Sequence, residues 1–180
     1  MLEKHEYLSY HEIHKQYESL EKTLAYISSM AEAIRDFFEP GRDILFVACG
    51  SSYWMSLSAH LTVKLKTGRR TAALKAGDIV TCPQEMIGGF NDPIVICPSR
   101  SGRTSEVLMS IRLLGEQYPN LKVLSIIEYA DSPLEKLSDL TLHLEWANEV
   151  SVCQTRSFSN LYLASVLIAA IIGDDRQLFD

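Results

Sequence analysis

The sequence predicts an α/β domain in three layers, with a parallel sheet between two layers of helices, preceded by a helical extension. Two patterns lead to this prediction. After residue 40, short apolar runs typical of buried strands alternate with longer amphipathic segments typical of helices. Strands separated by helices of this length form parallel sheets with right-handed crossovers. Before residue 40, apolar residues instead recur every three or four positions, as in a helix.

The predicted helical extension covers residues 1–39. From Tyr10 to Phe38, its apolar residues form a narrow seam close to a heptad repeat, in one helix or in two. Such a seam fits packing on the sheet of the same chain, and it fits equally well a helix of a second subunit. Pro40 and Gly41 end the segment with a turn.

The second predicted region, residues 40–180, holds five strands and four helices. The predicted strands, of which the second is the weakest, are 43–48, 71–75, 92–97, 121–127 and 140–144. The predicted helices are 51–66, 103–118, a short one starting at Ser132, and 155–172. Ser132 is followed by a proline and, three positions later, a glutamate, which is typical of a helix start. The residues after Gly173 resemble a charged linker.

Composition excludes several classes of protein. The net charge of −6 argues against non-specific nucleic-acid binding. The four cysteines form no Cys-x-x-Cys pair and the histidines have no metal-ligand spacing, and we therefore expect no metal and no cofactor. The amino terminus has no signal-peptide pattern, and the longest apolar run, 161–172, is too short for a membrane span. A cytoplasmic protein without a membrane partner is the expectation.

Three polar loops follow predicted strands, at the sheet edge where folds of this class bind ligands. Loop 1 is Cys49–Ser52, loop 2 is Ser99–Thr104 and loop 3 is Glu149–Arg156. Loop 1 places two hydroxyls at a helix start, which a simple helix cap would also explain. Loop 3 offers Gln154 and Thr155 as polar groups, and Thr155 alone would also be explained as a helix cap.

Loop 2 is the strongest candidate for a phosphate site. Its hydroxyls and the free amides of the following helix can converge on one anion, and Gly102 has no Cβ to hold that anion away. Arg103 is a cation at the positive end of a helix dipole. It therefore needs a compensating anion, which is either a ligand phosphate or Glu106 one turn later.

Together, the three loops resemble the SIS (sugar isomerase) domain family, in particular the isomerase half of its glucosamine-6-phosphate synthase members. Ser99-x-Ser101-Gly102-x-Thr104 is similar to the phosphate-binding motif S-x-S-G-x-T of the family. The segment 49–53, Cys-Gly-Ser-Ser-Tyr, resembles the synthase motif C-G-[TS]-S-Y. The segment 149–158 resembles E-x-x-V-x-x-T-[KR]-x-F. The resemblance extends over nearly the whole chain.

This resemblance implies a five-stranded sheet in flavodoxin-like order that binds a hexose 6-phosphate. By position in the motifs, the residues that would hold the phosphate lie in loop 2 and at the end of loop 1: Ser99, Arg100, Ser101, Gly102, Thr104 and Ser52. Those that would approach the sugar are Ser51, Gln154 and Thr155. Gln154 departs from the synthase pattern, which has serine at this position.

The resemblance also implies that the chain is the first half of a tandem SIS isomerase or deglycase acting on an amino or amine-linked hexose phosphate. In such relatives the catalytic glutamate and a ring-opening histidine come from the second domain, so no catalytic residue is assigned here. We expect a homodimer or pairing with a second SIS domain. Two alternatives remain open: a non-catalytic sugar-phosphate sensor, and a single-domain isomerase active as an oligomer. Glu106 and Glu149, the nearest carboxylates, are also explained as a helix-start acid and a surface charge.

Overall fold

The computed structural model describes residues 7–175. Five strands form one sheet in the order β2-β1-β3-β4-β5, and every neighbouring pair is parallel. Their bounds are β1 Ile44–Ala48, β2 Thr71–Lys75, β3 Ile94–Ser99, β4 Lys122–Ile127 and β5 Leu140–His143. The five predicted strands and the flavodoxin-like order are therefore confirmed. The strand order reverses between β1 and β3, the point at which such sheets bind ligands.

Eight helices are formed by the described residues. They are α1 Leu8–His14, α2 Gln16–Ser29, α3 Ala31–Phe37, α4 Gly50–Thr67, α5 Ala76–Thr81, α6 Pro83–Met86, α7 Ser105–Gln117 and α8 Arg156–Ile172. The helices α4, α7 and α8 match the predicted ones. Short helices such as α5 and α6 were not predicted, because they are too short to show a clear period. The segment after Ser132 forms only a 3-10 turn, Glu135–Leu137, although the Ser132 hydroxyl does accept the Glu135 N–H (3.3 Å).

Each face of the sheet has its own apolar core, because alternate strand residues point to opposite sides. On one face, Ile44 and Phe46 of β1 belong to a cluster that includes buried residues of α4 and α8. On the other face, Leu45 and Val47 belong to a cluster with buried residues of α5 and α7. This is the predicted three-layer arrangement.

The amino-terminal helices pack differently from the predicted seam. In the second half of the seam, Ile27, Ile34 and Phe38 are buried as expected. In the first half, Leu20 is half-buried and the other apolar side chains are exposed: Tyr10, Ile13, Tyr17 and Leu24. The face buried there is polar and consists of Glu12, Ser19 and Thr23.

The reason for this polar packing is a hydrogen-bond network on α8. Thr23 donates to the Asn160 side-chain oxygen (2.6 Å), and the Asn160 amide donates to Ser19 (2.8 Å). The Trp146 indole N–H donates to Thr23 (2.8 Å). The helices thus pack on α8 of their own chain, and the seam predicted from apolar spacing is the packing face only from Ile27 onward.

Residues 1–6 of the predicted extension and 176–180 of the predicted tail lie outside the described residues. Within residues 7–175, no helix combines the length and the apolar character needed to cross a membrane.

Candidate functional site

A cavity of about 420 Å³ lies where loops 1, 2 and 3 meet, beyond the carboxyl ends of β1 and β3. It is lined by Cys49, Ser52, Pro98, Ser99, Arg100, Ser101, Arg103, Thr104, Val107, Tyr129 and Gln154. Six of the nine predicted site residues are in this lining: Ser52, Ser99, Arg100, Ser101, Thr104 and Gln154. Ser51, Gly102 and Thr155 are not in the lining and lie next to these residues in the chain.

The hydroxyls of loop 2 are oriented by their own backbone. The Gly102 N–H donates to Ser99 Oγ (3.1 Å) and the Arg103 N–H donates to Ser101 Oγ (3.2 Å). A hydroxyl that accepts a hydrogen bond still has its own proton to donate. Because these protons have no acceptor within residues 7–175, loop 2 presents fixed donors at the cavity wall.

Gly102 is required by the fold, and for a reason different from the one predicted. Its φ of +61° lies in the left-handed region. A Cβ at this position would lie 2.3 Å from Ser132 Oγ and 3.5 Å from Ile127, on the side of β4. The prediction that this Cβ would hold an anion away is therefore wrong. The missing side chain allows loop 2 to pack against the segment after β4, where the Leu134 N–H also donates to the Gly102 carbonyl (3.0 Å).

Arg103 is an exposed cation in the cavity lining, directly before the α7 cap residue Thr104. It forms no ion pair with any carboxylate of residues 7–175. Glu106, the alternative partner, instead accepts a hydrogen bond from the Ser105 hydroxyl (3.2 Å). The guanidinium is therefore available to an anion in the cavity.

Arg100 connects loop 2 to loop 3. Its guanidinium donates to the backbone carbonyls of Glu149 (2.8 Å), Ser151 (3.1 Å) and Val152 (3.3 Å). These bonds use its terminal nitrogens, so the side chain both connects the two loops and lines the cavity.

Glu149 is buried, with 2% of its surface exposed, and it caps the start of α8. Its carboxylate accepts the Thr155 N–H (2.9 Å), the Thr155 hydroxyl (2.6 Å) and the Arg156 N–H (3.1 Å). The alternative that Glu149 is a surface charge is therefore wrong. Since the Thr155 hydroxyl already donates to Glu149, it can only accept hydrogen bonds from a ligand.

Gln154 joins loop 3 to loop 1. Its side-chain oxygen accepts a hydrogen bond from the Ser51 hydroxyl (3.1 Å). The amide group of Gln154 has no acceptor among residues 7–175 and is thus a potential donor in the cavity. Ser51 therefore acts through Gln154, while Ser52, only 5% exposed, lines the cavity directly.

Sequence reasoning missed two residues that follow β4. Tyr129 lines the cavity, and its hydroxyl donates to Asn148 Oδ1 (2.5 Å). Glu128 is 2% exposed and accepts a hydrogen bond from the Ser157 hydroxyl (2.8 Å), while its second oxygen has no partner. Burial, with a smaller contribution from the Glu149 charge, raises the pKa of Glu128 to about 7. The position at the end of β4 was a signal for both residues.

No carboxylate and no histidine of residues 7–175 lines the cavity. Glu149 is engaged in capping α8, and Glu128 is buried and not part of the cavity lining. The side chains that face the ligand space are thus mostly hydroxyls, an amide and two guanidinium groups, which are suited to binding an anionic, polyhydroxylated molecule.

Comparison with known proteins agrees with this chemistry. The family model described as "SIS domain" matches residues 38–172. Glutamine–fructose-6-phosphate aminotransferase [isomerizing] of Helicobacter pylori is 29% identical over 90% of this chain and 27% of its own length. The chain spans between 20% and 27% of the length of the first three such relatives.

Solved structures share the fold. Tagatose-6-phosphate ketose/aldose isomerase from Escherichia coli has a TM-score of 0.81 at 21% identity, covering 92% of this chain and 47% of that one. The C-terminal domain of glucosamine-fructose-6-phosphate aminotransferase from Francisella tularensis has a TM-score of 0.82 at 21% identity, covering 96% and 50%. A protein from Escherichia coli CFT073 has a TM-score of 0.75 at 19% identity, covering 94% and 92%.

The three loops of the cavity are the segments whose motifs resemble this family, and the family model spans most of the chain. We conclude that the chain belongs to the SIS domain family.

Proposed function

We propose that the cavity binds a hexose 6-phosphate, with the phosphate on loop 2 and Ser52, and the sugar between loops 1 and 3. The observation that carries this proposal is the set of unpaired donors in loop 2: the hydroxyls of Ser99, Ser101 and Thr104, beside the open guanidinium of Arg103. Charge-assisted hydrogen bonds from such donors are among the strongest available to a phosphate.

The sugar would extend from loop 2 toward loops 1 and 3. There, the Gln154 amide is placed to donate to hydroxyl or carbonyl oxygens, and Thr155, next to the lining in the chain, would accept. Arg100 would contribute chiefly by fixing loop 3, although it remains a predicted phosphate ligand. A cavity of about 420 Å³ has room for a sugar phosphate in an open-chain form.

We further propose that this chain is the substrate-anchoring half of a sugar-phosphate isomerase or deglycase acting on an amino or amine-linked hexose 6-phosphate. Such a reaction moves a proton between C1 and C2 and needs one general base beside the open-chain sugar. Because the cavity wall has no carboxylate or histidine from residues 7–175, that base would come from a second SIS domain. Binding energy from the phosphate, which does not react, would position the carbons that do.

Calorimetric titration with fructose 6-phosphate tests the binding site. We expect the double variant Ser101→Ala, Thr104→Ala to lose affinity by roughly a hundredfold, because two hydrogen bonds to a charged group are removed. Ser105→Ala is the matched control, since its hydroxyl bonds to Glu106 outside the cavity lining and its loss should leave affinity unchanged. An equal affinity of the double variant and the parent protein would overturn the assignment of loop 2.

A single-domain isomerase that works as an oligomer is the second candidate. The Escherichia coli CFT073 protein favours it, because this chain covers 92% of that chain, so the fold also occurs at this size. In that case a second copy would supply the base. Isomerase activity that rises with protein concentration as dimers form would support this candidate. A sugar-phosphate sensor would bind the same ligand and show no turnover in any state of assembly.

A further inference from the structure

Glu12 of α1 is buried although it lies on a helix whose apolar residues are exposed. It keeps 7% of its surface exposed. Its carboxylate accepts the backbone N–H groups of Val150 (2.6 Å) and Ser151 (3.1 Å), and it also accepts the Ser151 hydroxyl. Burial alone would raise the pKa of Glu12, but these hydrogen bonds outweigh it and the pKa is lowered. The amino-terminal helix therefore holds loop 3 through a charged group.

Loop 3 has few apolar contacts of its own. The side chains of Val150 and Val152 are 78% and 95% exposed, and Cys153 is exposed as well. The position of the loop therefore depends on polar contacts from three directions. Glu149 holds it from inside, Arg100 holds it from loop 2, and Glu12 holds it from the extension.

The contact of α1 and α2 with the rest of the chain is also polar near this loop. Gln16 accepts a hydrogen bond from Ser159 (3.0 Å), and Ser19 accepts one from Asn160 (2.8 Å). Both donors lie in the first turns of α8, directly after loop 3. The docking of the helices and the shape of loop 3 therefore depend on the same set of hydrogen bonds.

We propose that Glu12 is a positioning residue that couples docking of the amino-terminal helix to ligand binding. By fixing residues 150 and 151, it holds loop 3 where the Gln154 side chain reaches the cavity and Ser51. A ligand that contacts Gln154 then stabilises the docked helix, and the docked helix strengthens ligand binding by the same factor. The ligand part of this proposal rests on the proposed binding of a sugar phosphate.

Two probes separate positioning from a general loss of structure. Fructose 6-phosphate would contact both loop 2 and loop 3, whereas inorganic phosphate would need loop 2 and Ser52 of loop 1 but not loop 3. We expect Glu12→Gln to weaken fructose 6-phosphate binding by about fivefold or more, the lower end of usual coupling factors. Binding of inorganic phosphate should stay unchanged. Glu18→Gln is the matched control, because Glu18 is exposed on α2.

Hydrogen exchange without any ligand gives a second readout. Glu12→Gln keeps one acceptor oxygen but loses the charge, so its hydrogen bonds to the Val150 and Ser151 amides should weaken. These two amides should then exchange faster, while the Gly102 amide of loop 2 keeps its protection. Unchanged exchange at residues 150 and 151 would overturn the proposal, as would an equal loss of affinity for both probes. If the parent protein bound neither probe, the proposed function would fail, and the exchange result alone would decide whether Glu12 positions loop 3.

Discussion

Loop 2 and loop 3 both line the same cavity, and the chain holds them in place by different means. The hydroxyls of loop 2 are oriented by bonds within a few residues, from Gly102 to Ser99 and from Arg103 to Ser101, and its backbone also packs on the segment after β4. Loop 3 is fixed by side chains that lie far away in the sequence, Glu12 and Arg100, together with its own Glu149.

This difference indicates different roles for the two loops in ligand binding. Local bonds set the orientation of the loop 2 hydroxyls, which suits the proposed role of this loop in anchoring a phosphate. A loop held by distant side chains responds to changes elsewhere in the molecule. Such a loop suits the part of the site that contacts the sugar in the proposed function.

The largest expected effect is that of Gly102→Ala, which should disrupt the packing of loop 2. The new Cβ would need a left-handed backbone and would lie 2.3 Å from Ser132 Oγ and 2.7 Å from its Cβ. Backbone strain and overpacking together should lower the free energy of unfolding by about 4 kcal/mol. Denaturant titration measures this loss.

Gly115→Ala is the control for this substitution. Gly115 lies within α7 with open space around its Cβ position, and alanine there should be neutral or stabilising by about 1 kcal/mol. Equal stabilities of the two variants would contradict the close packing of loop 2 on Ser132.

The corresponding substitution in loop 3 is Glu149→Gln. It keeps the shape but replaces one acceptor oxygen with an amide N–H₂ that faces the Thr155 N–H donor, and it removes a charge from the start of α8. We expect the free energy of unfolding to fall by about 3 kcal/mol. Loop 3 should exchange its amides faster while loop 2 is unaffected. Glu145→Gln, at an exposed position nearby, should change neither quantity.

The same difference between local and distant determinants explains what the sequence could predict. The strand pattern of β1 and β3, and the dense hydroxyls of loop 2, are signals carried by adjacent residues, so fold and phosphate loop were predictable. The seam from Tyr10 to Leu24 was misinterpreted, because the polar residues Ser19 and Thr23 bury themselves only when Asn160 of α8 is in place.

The structural roles in the site were harder to predict than its members. Six predicted residues line the cavity. The capping of α8 by Glu149 and the hydrogen bonds of Arg100 to loop 3 could not be predicted, since each depends on where a separate segment lies in three dimensions. Glu12 gave no signal at all, because a glutamate on an amphipathic helix is normally solvated.

The smallest expected effect concerns Glu128, a buried carboxylate near both loops. It lies at the end of β4 and faces the charges of Glu149, Arg100 and Arg156. Its pKa in the folded protein is raised to about 7 from an ordinary value of 4.5, so the folded state binds the proton more tightly than the unfolded state. The contribution of Glu128 to the free energy of unfolding is therefore fully present below about pH 4.5 and is lost as the pH rises through about 7.

In the Glu128→Gln variant, the side chain does not ionise, so this contribution to stability is not lost as the pH rises. A shift of this size corresponds to roughly 3 kcal/mol at most, and relaxation around the carboxylate should reduce it, so we expect the variant to be more stable by about 2 kcal/mol at pH 8. At pH 4.5 the two proteins should differ by much less, because the glutamate is then largely neutral when folded. Denaturant unfolding at both pH values measures the difference. A gain that is the same at both pH values would show that Glu128 acts by packing and would contradict its raised pKa.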